Sequence, residues 1–522
     1  MKHKNNIALV TFLFLFGLIQ AQEEIQLNID RIPQGKDLKI GLVLSGGGAK
    51  GLAHIGVLKE IEKAGIEIDY IGGTSMGAIV GGLYASGYTA SQLDSIFHVI
   101  DFQKLIQDEL PRSAKSFNQK KNSERYALTL PFDNFKISIP SALSKGQNIY
   151  NLIARLTAHV KDTKDFGKLP IPFFCVATDV VKGQAIILDS GSLPEAITAS
   201  GALPSLFSPI ELDGKLLIDG GVVDNYPVEE LKKRGANFII GVDVQDDLRS
   251  REELLSAPDI LVQVNNYRTI EAMKEKIKLT DIYIRPDIDD YSVVDFEKGN
   301  EIIACGEKKA KLFQDLLKSV ELKQNTFYTK PKLNLKKKDS LTIKSIATNG
   351  NEYYTRSYIL GKLKLRTPAT TTYDKLYQGI NSLSATGNFK RINYALDGYD
   401  DKSYHLDLDV KESKSTTSLS AALHYDDLYK SAALLNLTKK RLLFRNDEIS
   451  VDFIVGDNIR YNIDYFSDNG FYIGFGARSS YNSFEKNISA QFVDQLIDLS
   501  LSNLNSIDIE YSTGQIGSGK GM

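Results

Sequence analysis

Two short segments hold residue types whose order could do chemistry. Ser45-Gly46-Gly47-Gly48-Ala49-Lys50-Gly51 follows an apolar run and precedes a helical stretch, which matches the dinucleotide fingerprint G-x-G-x-x-G in residues and in context. The fingerprint also requires an acidic residue at the end of the second strand to hold a ribose. Here Asp69 stands near the start of the run Ile68–Ile71, which ends in Gly72-Gly73 instead. A glycine-rich turn at a helix N-terminus aims its N–H groups at any anion, so an oxyanion fits this loop as well as a pyrophosphate does. The second segment, Gly73-Thr74-Ser75-Met76-Gly77, is a G-x-S-x-G elbow with a strand before it and a small-residue helix, Ala78 to Ala85, after it. Its glycines permit the tight turn that lifts a serine Oγ above a sheet, where it can act as a nucleophile.

A serine nucleophile needs a base, ordinarily a histidine. Of the six histidines, His3 is in the leader and His405 and His424 are in the C-terminal regions. None follows His159 within the catalytic stretch, so the Ser–acid–His order of α/β-hydrolases is not met. His54, one turn beyond the glycine loop, reads as a packing residue. The expected base is Asp219, which ends the run Leu216–Ile218 and precedes Gly220-Gly221, the place where parallel sheets present functional side chains. A carboxylate is a weak base at neutral pH and must be buried or held against a hydroxyl to serve. The competing reading of Asp219-Gly220 is an ordinary turn.

These residues need a scaffold, and from Lys39 short β-rich runs alternate with helical segments. Lys39 to Ser45, a helix from about Gly51 to Ala64, Ile68 to Ile71 and a helix after Ser75 come in the order that implies parallel strands joined by crossover helices. Phe173–Ala177, Leu216–Ile218 and Phe238–Val244 extend the same sheet, and a helical stretch near Leu317 closes it. Residues 39–318 read as one α/β domain with a parallel-rich sheet and flanking helices.

The whole chain has 522 residues, enough for three or four domains at roughly 150 residues each. Apolar residues at 42% and charged residues at 25% argue against wholesale disorder and a polytopic helical membrane protein. Lys and Arg number 63 against 65 Asp and Glu, a balance that argues against a nucleic-acid partner. Cys175 and Cys305 alone provide neither a disulfide framework nor a cysteine metal site, and no metal or other cofactor is expected. Residues 1–21 read as a secretory signal: Lys2 and Lys4, an apolar run from Ile7 to Ile19 too short to span a bilayer, and the small residue Ala21. Residues 319–340 read as a linker, its Lys- and Pro-bearing part serving as solvated spacer. Residues 341–413 follow as a compact unit: a strand near Leu341–Ile346, helices near Thr355–Leu363 and Tyr373–Ser384, then strands at Arg391–Leu396 and Tyr404–Val410.

Beyond Ser415 residues alternate at period two: Ile449, Val451, Phe453; Tyr461, Ile463, Tyr465; Phe471, Ile473, Phe475; Ile507, Ile509, Tyr511. This pattern fits a soluble β-sandwich or the start of an outer-membrane barrel, and export favours the barrel, with about eight strands in the space. In a barrel Ile449, Val451, Phe453, Ile463 and Ile473 face lipid, and the intervening Asp452 and Asn462 tolerate change. Gly514–Met522 shows no strand pattern.

Gly46–Gly51, Gly73–Gly77 and Asp219–Gly221, in that order, resemble the patatin-like phospholipase family. The resemblance covers about residues 39–245, and Ala199-Ser200-Gly201-Ala202-Leu203-Pro204 and Asn225-Tyr226-Pro227 are similar to further blocks of that family. It implies a Ser–Asp dyad in which Ser75 is the nucleophile and Asp219 the proton acceptor. N–H groups in the loop Gly46, Gly47, Gly48, Ala49, Lys50, Gly51 would form the oxyanion hole. Where the family often has Asp-Gly-Ala, this chain has Asp219-Gly220-Gly221. Residues 341–413 resemble a polypeptide-transport-associated (POTRA) domain, and 415–522 resemble the start of a bacterial surface antigen barrel, as in patatin-type autotransporters. The tail is shorter than that group's barrel, which suggests a truncated form.

The expected function is a serine acyl hydrolase of phospholipids or other acyl esters, exported and associated with the outer membrane, its catalytic domain periplasmic or at the cell surface. Homo-oligomers remain an open option. The alternatives are a non-enzymatic outer-membrane assembly or transport protein built on 341–522, and a nucleotide-binding oxidoreductase using Gly46–Gly51.

Overall fold

The computed structural model describes residues 38–138, 142–248, 250–251, 254, 257–324, 328–333, 340–400, 403–426, 430–457, 459–489 and 506–521; the expected leader, 1–21, lies outside them. Two compact units emerge, one formed by 1–109 with 142–337 and the other by 110–141 with 338–522.

The first unit is built on a mixed sheet of eight strands: β1 Ile40–Leu44, β2 Tyr70–Thr74, β3 Phe173–Asp179, β4 Gln184–Leu188, β5 Ile210–Leu212, β6 Lys215–Asp219, β7 Phe238–Val242 and β8 Ile282–Ile284. The order is β8-β7-β1-β2-β3-β6-β5, with β4 also on β3; β8, β7, β1, β2 and β3 are parallel. β1, β3 and β7 are buried at every residue, as parallel strands covered on both faces must be. On one face Ile40, Leu42, Leu44 and Ile71 pack with the helices Ala53–Ala64 and Met76–Ala85; on the other Val43, Val176 and Ile239 pack with Tyr226 and Leu231.

Three details differ from the sequence reading. The span 319–340 is not a solvated spacer throughout: the helix Gln314–Gln324 runs into it, the Tyr328 N–H donates to the Gly65 carbonyl at 2.8 Å, and Lys330 is buried with its Nζ 3.8 Å from the centroid of the Tyr84 ring, a cation–π contact that offsets its burial. The first helix opens as a 3-10 turn over Gly48–Leu52 before the α-helix Ala53–Ala64. The second strand is Tyr70–Thr74 rather than Ile68–Ile71, so it ends directly at Ser75. Asp69 lies before this strand, where its carboxylate accepts from Lys39 Nζ at 2.9 Å and from the N–H of Ile40 at 2.8 Å.

One edge of β3 carries the topology that matters. β4 pairs with residues 175–179 of β3, so β2, opposite 173–176, and β6, opposite 177–179, must share the other edge. β2 runs parallel to β3 and β6 antiparallel, and their C-terminal ends meet: Thr74 lies opposite Val176 and Asp219 opposite Ala177.

In the second unit, Leu341–Asn349, Ala369–Thr371, Phe389–Asp400 and Ser403–Glu412 form a four-stranded sheet, with the helices Arg356–Leu363 and Tyr373–Ala385 completing the core around Ile343, Leu406, Leu408, Ile359 and Ile380. The short strand Ala369–Thr371 carries no sequence alternation and was not expected. Beyond it the strands Thr417–Asp426, Lys430–Lys440, Asp447–Gly456, Arg460–Ser467, Gly474–Ser489 and Ser506–Gly521 pair antiparallel in chain order, six strands among the described residues.

In this sheet apolar side chains such as Leu435, Phe453 and Val455 are exposed, while Asn436, Thr438, Ser450 and Asp452 are buried. A soluble sandwich would show the reverse. Three expectations need correction. Ile473 precedes the strand Gly474–Ser489, because Asp468-Asn469-Gly470 turns the chain there. Gly514–Gly521 is part of a strand, since pairing with 474–481 supplies backbone bonds that need no side-chain pattern. Asp452 is not a freely variable polar position: only 1% exposed, it accepts hydrogen bonds from Arg125, Tyr126 and Asn436.

Candidate active site

The junction of β2 and β6 sets the site. Ser75 leaves β2 at φ 54° and ψ −121°, a conformation disfavoured for a side chain with a Cβ, and becomes the N-cap of the helix Met76–Ala85. The turn closes tightly enough that a Cβ on Gly77 would lie 2.1 Å from the Leu44 carbonyl oxygen. Two groups hold this backbone. Ser200, fully buried at the end of the helix Leu193–Ser200, accepts from the Ser75 N–H at 3.0 Å and donates to the Val176 carbonyl at 2.5 Å. Two residues on, the Ala202 carbonyl accepts from the Asp219 N–H at 2.9 Å. The segment Ser200–Ala202 therefore fixes the backbone at both Ser75 and Asp219.

Ser75 Oγ donates to Asp219 Oδ2 at 2.5 Å, and the N–H of Gly221 donates to Oδ1 at 2.8 Å. Asp219 is 3% exposed, whereas Ser75 is only half-buried. Burial raises the Asp219 carboxyl to about 6, against the opposing effects of the Ser75 and Gly221 hydrogen bonds. The pair thus consists of a hydroxyl already aligned on a poorly solvated carboxylate.

The glycine loop lies against this pair. A Cβ on Gly46 would fall 2.9 Å from the Ser75 Cβ, so only glycine fits there. Its N–H donates to Asn225 Oδ1 at 3.1 Å, that of Ala49 to the Val293 carbonyl at 2.8 Å, and that of Lys50 to the Gly47 carbonyl at 3.2 Å. Gly47 and Gly48 are the partly exposed members of the loop, and among the described residues their N–H groups have no acceptor. The Lys50 side chain is buried in an ion pair with Asp246.

Among the described residues no histidine joins the pair. His54 is buried, bonded through Nε2 to the Ser45 carbonyl at 2.8 Å, and held neutral by burial that lowers it to about 4. His98 pairs with Asn300 at 2.9 Å and His159 with the Ser86 carbonyl at 2.8 Å. Cys175 and Cys305 are both free thiols. The sequence reading singled out Ser75, Asp219 and the loop, but it gave no role to Ser200 or Asn225. Both lie in segments it quoted; what marks them is a side-chain bond to a distant backbone group, which spacing does not encode.

Residues 42–232 match the patatin-like phospholipase family, and residues 404–516 match the OMP85 superfamily. The chain therefore carries a patatin-like phospholipase domain followed by an OMP85-superfamily region. It is 32% identical over 316 residues to the lysophospholipase NTE1 of Debaryomyces hansenii, covering 56% of this chain and 19% of that protein. With the Saccharomyces cerevisiae lysophospholipase NTE1 it shares 30% identity over 313 residues, 55% of this chain and 17% of that protein. The aligned part spans about a fifth of the length of these curated relatives. Among solved structures, VipD from Legionella pneumophila aligns with 54% of this chain and 68% of its own at 15% identity and a TM-score of 0.30. BamA from Haemophilus ducreyi aligns with 34% and 43% at 9% identity and a TM-score of 0.23.

The raised Asp219 carboxyl has a consequence for stability. The native state holds this proton more tightly than the unfolded chain, so stability present below about pH 4 is lost as pH rises through about 6. At 1.36 kcal/mol per unit the loss is about 3 kcal/mol. Asp219→Asn is expected to raise the unfolding midpoint of the first unit at pH 7 and to leave it nearly unchanged at pH 4; equal effects at both pH values would contradict the burial argument.

Proposed function

We propose that the first unit is a serine carboxylic ester hydrolase acting on phospholipids or related acyl lipids. The observation that carries this reading is the 2.5 Å hydrogen bond from Ser75 Oγ to a carboxylate that burial has made more basic. As the Ser75 oxygen attacks the ester carbonyl, its proton passes to Asp219. The N–H groups of Gly47 and Gly48 receive the oxyanion, and water from the open side cannot match donors fixed in advance. Collapse of the tetrahedral intermediate expels the alcohol, which takes the proton from Asp219 and leaves an acyl ester on Ser75. A water then gives a proton to Asp219 and attacks this ester; the fatty acid departs and the proton returns to Ser75.

The lysophospholipase relatives support an acyl-lipid substrate, and the patatin-like match covers every residue assigned here. The oxidoreductase alternative has less support: Gly46 packs on Ser75, and Asp69 is engaged by Lys39 and Ile40. The OMP85 match and the outward apolar face of the strand region support insertion of that region in the outer membrane, with 341–413 as a POTRA-like unit before it.

Ser75→Ala is expected to abolish release of fatty acid from phospholipid vesicles while the unit stays folded. Asp219→Asn is expected to lower kcat by ~10²-fold or more with a smaller change in KM. In the unaltered enzyme kcat/KM should fall as pH drops through about 6, as the base is protonated. Full turnover in Ser75→Ala would leave the strand region as the functional part.

For that region, Phe453→Arg on the outward face is expected to cost about 2–4 kcal/mol near the bilayer midplane and to reduce the protein recovered with outer membranes. Arg445→Glu, in the turn before the strand Asp447–Gly456, should be recovered as the parent chain is. Recovery of the parent chain as a detergent-free monomer would contradict membrane insertion.

A further inference from the structure

Residues 110–141 lie inside the span matched by the patatin-like family, yet they belong to the second unit. The helix Phe117–Arg125 is started by a capping box between Ser116 and Gln119, and it carries Lys121 and Arg125 one turn apart on one face. Both reach the inner face of the strand sheet. Lys121 Nζ lies 3.0 Å from Asp452 and 2.7 Å from Asp464, and Arg125 Nη1 lies 2.8 Å from Asp452. The next residue, Tyr126, donates its hydroxyl to Asp452 at 2.7 Å, and its ring packs with Ala432, Leu434 and Ile454. The chain then forms the strand Leu128–Asp133, antiparallel to Thr417–Asp426 from Leu128 opposite Ala421 to Pro131 opposite Ser418. Thr129 and Ser420 join hydroxyls at 2.9 Å.

Each half of this contact answers a physical need of the sheet. Asp452 is 1% exposed, and a carboxylate so buried is tolerable only when cations and hydroxyls compensate it. Among the described residues, Leu128–Asp133 is the strand that pairs with Thr417–Asp426 on the edge away from Lys430–Lys440, and it covers backbone groups that would pair with whatever strand is near. A cationic helix and a pairing strand, in that order on one short insertion, meet both needs at once.

We propose that residues 112–137 are a docking plug: a segment of the hydrolase sequence that binds the acidic inner face and first edge of the strand region. It joins the N-terminal part of the chain to the strand region independently of the peptide link through 325–339. Retention then survives a cut in that link, because the plug stays covalently part of the N-terminal fragment while it is bound to the C-terminal one. The binding chemistry is a Lys-Arg-Tyr triad on a buried aspartate plus antiparallel backbone pairing, and it does not depend on ester hydrolysis.

The test is made on the full chain in detergent, with a protease site inserted between 334 and 339. After cleavage the two fragments of the parent protein are expected to co-elute. Lys121→Glu with Arg125→Glu, and a replacement of 112–137 by a Gly/Ser segment of equal length, should each lose that co-elution. A second arm uses Thr129→Cys with Ser420→Cys. Opposed residues of an antiparallel pair have Cβ atoms about 4.5–5.5 Å apart, within reach of an oxidant-driven disulfide after slight adjustment. The oxidised, cleaved double variant should stay covalently joined until reduced, whereas Thr129→Cys with the off-register Thr417→Cys and the parent with Cys175 and Cys305 alone should not. Separation of the parent fragments, retention in the Gly/Ser replacement, or equal cross-linking in and out of register would each overturn the proposal.

Discussion

The site depends on one edge of β3. Two strands of opposite direction share that edge and stop at neighbouring residues, Val176 and Ala177, so the end of each is aimed at the other. A serine on one end and a carboxylate on the other are then brought within hydrogen-bond distance by backbone pairing, before any side-chain preference acts. Were β6 to pair one residue out of step, Asp219 would point to the opposite face of the sheet and the bond from Ser75 would be lost.

The neighbouring structure follows from that junction. Ser75 can occupy its strained conformation because the helix Met76–Ala85 begins there and Ser200 satisfies its N–H. The glycines at 46 and 77 are required by space, since both backbones pass too close to Ser75 or Leu44 for a side chain. Burial of Asp219 costs stability and raises the basicity of its carboxylate in the same act. His54, buried and bonded to Ser45, shows the other use of a titratable group in this core: a neutral packing residue.

Much of this was legible in the sequence, and the reasons differ by region. Continuous apolar runs located β1, β3 and β7 because parallel strands covered on both faces leave no alternation to misread. Glycine spacing located the loop and the elbow because tight turns admit few residues. Asp219 could be chosen by its place at a strand end, but its meeting with Ser75 needed the register on β3. The strand region was visible through its period of two, although that period does not say which face is covered. The insertion was invisible as part of the second unit: Lys121 and Arg125 look like an ordinary charged helix face, and Tyr126 meets Asp452 across 326 residues of sequence. Asp452 was misjudged for the same reason.

In the proposed reaction Ser75 is the nucleophile and its reactivity comes from the Asp219 carboxylate. Peptide mapping by mass spectrometry after reaction with a fluorophosphonate tests it most directly, with the labelling rate measured across pH. A single adduct on Ser75 is expected, formed at a rate that falls as pH drops through about 6. An adduct on another serine, or labelling of Ser75 at a rate unchanged in Asp219→Asn, would contradict it.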